Sequence, residues 1–270
     1  MGTPSAAAAA TPADDPLPEA LGLARGAAQA SLGLKLLGGL AVRVLCPEFP
    51  PRLRAGQDMD FACVSKERKK VADWLASAGC EADRRFNNLN GDRQMYFNAP
   101  SGRPIDVMVN QLTMCHNLDF RAGFDRQPFT IDAVDVLLSK LQIVELNEKD
   151  AHDIVHLLAG LPVSGGGREA RGRGEQSGGA QASIDTERFA KLMGADWGWW
   201  RTVTGNLEKL PALVAERPGL VPPGALYDAL AQARQLLELA QQTPKSMKWK
   251  LRAATGERMR WYELPEEVAH

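Results

Sequence analysis

Three aspartates interrupt segments that are otherwise apolar. Asp58 and Asp60 stand in Gln57-Asp-Met-Asp-Phe61, and Asp106 stands in Pro104-Ile-Asp-Val-Met-Val109. Side chains two apart on a strand share a face, so Asp58 and Asp60 can hold one cation together. A third acid on a neighbouring strand completes a cage of oxygen ligands, the donor type that hard divalent ions such as Mg²⁺ or Mn²⁺ prefer. Upstream, Leu36-Leu37-Gly38-Gly39-Leu40-Ala41-Val42-Arg43 reads as a strand, a diglycine turn and the start of a helix. Such a helix start offers backbone N–H groups to phosphate. Gly38 and Gly39 let the backbone approach the β- and γ-phosphates of a nucleoside triphosphate, and Arg43, one turn on, would neutralise their charge. The chemistry that needs all these parts is attack of an oxygen on the α-phosphorus. Two metals roughly 3.5–4 Å apart then stabilise the attacking and leaving oxygens. Asp58 and Asp60 would bridge the ions, and Asp106 would bind nearest the nucleophile and accept its proton. Each signal is common when alone; their order along the chain carries the reading.

The bulk properties set bounds. A chain of 270 residues has length for a large buried core, and a formal net charge of −1 argues against a surface given over wholesale to nucleic acid. Cys46, Cys63, Cys80 and Cys115 lie far apart without a Cys-x-x-Cys pair, which excludes a metal knuckle and favours a reducing cytoplasm. No basic n-region precedes an apolar stretch, and position 6 is Ala where myristoylation calls for Ser or Thr. The apolar run Leu32 to Leu45 is broken by Lys35, glycines and Arg43, so no membrane span is expected.

The elements that must position the acids follow from periodicity and punctuation. Residues 1–16, mostly Ala, Pro, Thr and Asp, read as a disordered tail. A helix from Leu17 to Ala30, a strand over Leu34–Leu37 and a helix from Leu40 to before Pro47 come next, and Pro47, Pro50 and Pro51 force a loop to Asp58. A strand over Phe61–Val64 leads to a helix capped by Ser65 that runs through Ala78 and stops at Gly79. Strands are expected at Glu81–Phe86, Arg93–Phe97 and Ile105–Val109, with Gly91-Asp92 as a hairpin turn. After Phe129 the spacing becomes helical: Ile131–Leu141, Glu148–Ala159 capped by Asn147, then Asp185–Leu192, Trp197–Leu210 and Gly224–Gln241. Ser164 to Ser183 is low-complexity and reads as a flexible Gly-rich loop.

The apolar residue, Gly38-Gly39, Asp58-x-Asp60 and lone Asp106 resemble the signature of the nucleotidyltransferase superfamily over roughly Leu34 to Val109. Leu137-Leu-Ser-Lys-Leu-Gln142 followed by Glu148-Lys-Asp-Ala-His-Asp153 resembles the lysine-bearing helix and the Arg-Asp-x-x-Asp helix of AbiEii-like nucleotidyltransferases, a group that includes toxins of toxin–antitoxin systems. The resemblance implies an α+β fold: a nucleotidyltransferase-like mixed β-sheet core with flanking helices over 17–130, and a C-terminal helical region over 131–270. It also implies that Lys140 contacts the triphosphate and that Asp150 and Asp153 support the site. Two departures point to a separate branch. Eighteen residues stand between Gly39 and Asp58, and Lys149 replaces the arginine, without its bidentate fork. The expected activity is transfer of a nucleoside monophosphate from a nucleoside triphosphate to an acceptor, whether RNA such as tRNA, protein or small molecule. The alternatives are a non-catalytic nucleotide- or RNA-binding module and a toxin–antitoxin component with an antitoxin partner.

Other residues invite weaker readings. His116 beside Cys115 has no second ligand at metal spacing and reads as structural; His152 and His156, one turn apart, lack a third ligand. Trp197, Trp199 and Trp200 read as core packing. The basic run Lys245 to Arg252, with Arg258 and Arg260 and the interleaved Trp249 and Trp261, fits either a grip on a phosphate backbone or a solvated tail.

Overall fold

The computed structural model describes residues 15–53, 56–165 and 182–264. Its first part contains α1 (Leu17–Gln29), β1 (Lys35–Leu36), α2 (Gly38–Leu45), β2 (Met59–Cys63), α3 (Arg68–Ser77), β3 (Glu81–Ala82), α4 (Arg84–Asn90), β4 (Gln94–Asn98), β5 (Pro104–Val109), β6 (Gln111–Thr113) and β7 (Asn117–Asp119). Helices then dominate: α5 (Ala133–Leu141), α6 (Glu148–Gly160), the short strands β8 (Val163–Ser164) and β9 (Ile184–Asp185), α7 (Thr186–Ala195), α8 (Trp197–Glu216), α9 (Ala229–Gln242) and α10 (Met247–Thr255). This is the expected α+β architecture, a mixed sheet with flanking helices followed by a helical region.

The main sheet has the order β1-β2-β5-β4-β3. Its centre is the parallel pair of β2 and β5, with β1 and β4 added antiparallel on either side. Along β5 exposure alternates: Ile105, Val107 and Val109 are buried while Asp106 and Met108 are half-buried on the opposite face, where Met108 lines a cleft. On β2, Met59 and Phe61 are fully buried and Asp60 looks to the same side as Asp106, its register partner. Phe61, Phe97 and Phe120 are fully buried, each worth roughly 1.5–3 kcal/mol of transfer from water. One apolar cluster runs from α1 through the sheet into α5, α6, α7, α8 and α9, so the helical region packs on the same core.

Several expectations are corrected. The strand expected over Glu81–Phe86 shrinks to Glu81–Ala82, and a helix replaces the Gly91-Asp92 hairpin. Asp83 caps that helix by accepting from the Phe86 N–H at 2.8 Å. Asn87 on α4 then accepts from the Tyr96 N–H and donates to the Tyr96 carbonyl, docking the helix on the edge of β4. Ser65 does not cap α3, whose N-cap is Glu67, although the helix does stop at Gly79 with φ +87°. The hairpin β6–β7 and helix α10 were not expected, and α8 continues through Pro211 to Glu216. Asn147 caps α6 as expected, at 2.9 Å from the Asp150 N–H. The expectation of a disordered tail falls, up to residue 14, outside the described residues, as does that of a flexible Gly-rich loop over residues 166–181. That loop's ends, β8 and β9, pair in parallel.

Candidate active site

The parallel register sets Asp106 directly beside Asp60, and Asp58, one residue ahead of β2, lies two positions before Asp60 on the same side. Oxygen atoms of Asp58, Asp60 and Asp106 all lie within 4.8 Å of one another, and all three residues are half-buried. Among the described residues this is the one grouping of three His, Cys, Asp or Glu that fits a metal ion. Burial of its carboxyl and then the charges of Asp58 and Asp106 push Asp60 up to about 6, against the pull of Lys140 and Lys149. Like charges this close oppose one another's ionisation, and a divalent cation relieves that repulsion. The donor set, three carboxylates and no sulfur or imidazole, fits Mg²⁺ or Mn²⁺.

The diglycine turn adjoins this cage. The Leu37 N–H donates to the Asp60 carbonyl at 2.9 Å, tying the turn to the acid-bearing strand. Gly38 has φ +63°, and a Cβ there would collide with the Asp60 carboxylate. Both facts demand glycine. No side chain caps α2 and no acid lies in its first turn, so its leading N–H groups are open to an anionic ligand.

Lys140, in the last turn of α5, is 6% exposed. Its ammonium lies 2.8 Å from Asp153 Oδ2 and 3.3 Å from Asp150 Oδ1. The closer contact is an ion pair rather than an aligned hydrogen bond, since Asp153 Oδ2 accepts none. Burial pulls the lysine pKa down, but Asp153 and Asp150, with Asp60 beyond them, reverse this and hold it above the usual lysine range. Asp153 is pushed up by burial, yet His152 and Lys140 outweigh that and hold it at about 2. Asp153 Oδ2 also sits 3.7 Å from where a Cβ of Gly39 would be, so the ion pair adjoins the diglycine turn. Asn206 on α8 donates to the Leu141 and Ile143 carbonyls at 2.9 and 2.7 Å, fixing the end of α5 that carries Lys140.

Asp58, Asp60, Gly38, Lys140, Lys149 and Asp150 line one cleft of about 1120 Å³. Gly39 and Arg43 line a separate, smaller recess with His152 and His156. The Arg43 guanidinium there donates to both Asp15 oxygens at 2.6 and 2.7 Å. Sequence reasoning missed Gln94, which donates to Asp106 Oδ1, and Tyr96, the register partner of Asp106 on β4. Their signal was the alternation of β4 once it is paired with β5. Arg93 and the C-terminal residues Arg260, Tyr262, Glu263 and Leu264 also line the cleft. His116 is structural, bonded through Nε2 to Thr202 Oγ1 at 2.9 Å and lowered to about 4 by burial. The His152 and His156 rings lie tilted against each other, their centroids 3.8 Å apart. Trp197 and Trp199 are buried, as expected.

No protein-family model and no curated relative matches the sequence. Among solved structures, the chain is similar to a lincomycin-bound lincosamide antibiotic adenylyltransferase, at 19% identity over 49% of this chain and 90% of that one, with a TM-score of 0.36. It is also similar to an antigenic nucleotidyltransferase-like protein from Paracoccidioides brasiliensis, at 13% identity over 86% of this chain and 94% of that one, with a TM-score of 0.37. By their names, these neighbours are nucleotidyltransferases or like them. Scores this low leave the chain's own acids and turn to carry the functional reading.

Proposed function

We propose that this chain is a metal-dependent nucleotidyltransferase that moves a nucleoside monophosphate from a nucleoside triphosphate to an acceptor oxygen. The observation that carries it is the gathering of Asp58, Asp60 and Asp106 within 4.8 Å, beside a glycine turn whose helix start is uncapped. Mg²⁺ or Mn²⁺ held by the three aspartates would supply charge stabilisation at the attacking and leaving oxygens. The Gly38 and Gly39 backbone takes the β- and γ-phosphates at the N-terminus of α2. Lys140, held beside that turn by Asp153 and Asp150, steadies the triphosphate charge. Arg43, in the last turn of the same helix, lines the neighbouring recess in its pair with Asp15 and stands outside the cleft. Asp106, kept in place by Gln94, accepts the proton of the attacking hydroxyl. The new bond joins that oxygen to the α-phosphorus, the bridge to the β-phosphate breaks, and pyrophosphate leaves.

No described helix is long and apolar enough to cross a membrane. The four cysteines are free and buried, which suits a reducing cytoplasm.

The test is a transfer assay with each triphosphate labelled at its α-phosphate, Mg²⁺, and total RNA, total protein or a small-molecule extract. The control carries Asp58→Asn and Asp60→Asn. Label transferred by the native chain and lost in the control supports the reading, and the labelled fraction identifies the acceptor class. Binding of triphosphate without any transfer would replace it with a nucleotide-binding module; no metal-dependent binding at all would end it.

A further inference from the structure

The C-terminal segment Met259–Leu264 crosses back over the acid cleft. The Glu263 N–H donates to the Cys115 carbonyl at 3.0 Å, in the turn between β6 and β7. Trp261 Nε1 donates to Thr202 Oγ1 on α8 at 3.0 Å, and the Trp261 ring packs edge-on against Trp197. Arg252 of α10 donates to the Met259 carbonyl at 2.7 Å. So anchored, the segment presents Arg260 and Tyr262 to the cleft that holds Asp58 and Asp60. The same two residues line a second cavity of about 460 Å³ behind it, so they form a thin partition with space on both sides.

Arg260 is exposed, and its guanidinium lies over the Tyr262 ring at 4.9 Å. Among the described residues the structure pairs it with no carboxylate, unlike Arg43, Arg126, Arg188, Arg201 and Arg217, each held by an acid. A stacked guanidinium keeps its edge N–H donors free for a planar or phosphate oxyanion. Position in the sheet says which substrate it meets. The diglycine turn follows β1, at one edge, while Asp106 on β5, Gln94 on β4 and Arg93 just before β4 lie further across. The segment is pinned to the hairpin that directly follows β5. A cleft near 1120 Å³ also exceeds the roughly 300–1,000 Å³ typical of a single small-ligand pocket.

We infer that Arg260 and Tyr262 bind the acceptor, and that the acceptor carries an anionic group next to a ring or apolar face. The inference rests on the nucleotidyltransferase reading for the word acceptor, while the anion site itself stands on this geometry. Trp261, 5.2 Å from the Tyr262 ring, is a built-in reporter.

The experiment follows tryptophan fluorescence of the full chain, saturated with a non-hydrolysable triphosphate and Mg²⁺, during titration with phenyl phosphate, benzoate, inorganic phosphate and benzylamine. Phenyl phosphate or benzoate should bind at least tenfold more tightly than benzylamine, and the better of the two tells phosphate from carboxylate. Arg260→Gln should weaken that anion at least tenfold. Tyr262→Leu should weaken phenyl phosphate more than inorganic phosphate. Arg258→Gln, just before the segment and not among the residues lining the cleft, should change neither. Triphosphate affinity should be the same in all variants. Equal anion binding by native chain and Arg260→Gln, or no binding by either, overturns the inference. So does a matching fall in triphosphate affinity, which would move Arg260 to the nucleotide. Failure of the native chain to bind triphosphate would count against the nucleotidyltransferase reading alone, because the anion titration can be repeated without it.

Discussion

Replacing Lys140 with methionine keeps the volume of the side chain and deletes one buried cation from among three acids. The magnitude can be worked from Asp153, which is 7% exposed and held at about 2, roughly two units below an unperturbed aspartate. Two units correspond to about 3 kcal/mol, shared between Lys140 and His152, and Asp150 adds a second stranded carboxylate at 8% exposure. Breaking a buried pair by removing one partner costs about 3–5 kcal/mol, so Lys140→Met should lose roughly 3 kcal/mol at pH 7. The sign with pH follows from linkage. A carboxylate whose folded pKa is depressed stabilises the fold above its unfolded pKa, near 4, and loses that contribution as pH falls through about 2. The native advantage over Lys140→Met should therefore be full at pH 7 and shrink below pH 4. Urea unfolding at pH 7, 5 and 3, followed by circular dichroism, measures it. Adding Asp153→Asn and Asp150→Asn should restore most of the loss, because no buried charge is then left alone. A loss under about 1 kcal/mol at pH 7, or one that does not shrink in acid, would refute the claim that Lys140 is held by these acids.

Two other changes probe the frame around the site. Arg188 on α7 donates to Asp135 on α5 at 2.7 Å, and Asp135 is 0% exposed and pushed up to about 7 by burial, against the pull of Arg188. Arg188→Met should cost about 3–5 kcal/mol at pH 8 in urea unfolding. A raised carboxyl pKa stabilises the fold below the unfolded value near 4 and loses that as pH rises to about 7, so the cost of Arg188→Met should be smaller at pH 5. Gly38→Ala meets both φ +63° and the Asp60 carboxylate, so it should cost at least about 1–2 kcal/mol and abolish label transfer. Full activity in that variant would mean that the turn has no role at the acids.

What could be read along the chain was what short-range rules control. An acid inside the otherwise apolar run Pro104 to Val109 singled out Asp106 on a strand, and Asn147 marked the start of α6, because local composition and capping are decided within a few residues. The glycine at position 38 was legible for the same reason, although only the fold revealed that Asp60 fills the space where its Cβ would be. Tertiary structure decided the rest. Residues 84–90 became a helix because Asn87 finds the backbone of Tyr96 across the edge of β4, a contact no local propensity encodes. Arg43 turned to Asp15, and Gln94 to Asp106, because register between distant strands and the docking of α1 bring those partners within reach. The basic C-terminal run reads from sequence as either a grip on a phosphate backbone or a solvated tail, and only the bonds of Glu263 to Cys115 and Trp261 to Thr202 place Met259–Leu264 beside the acid cleft. Residue types and their order thus determined which chemistry was available, whereas the long-range pairing of strands decided which side chains share the cleft.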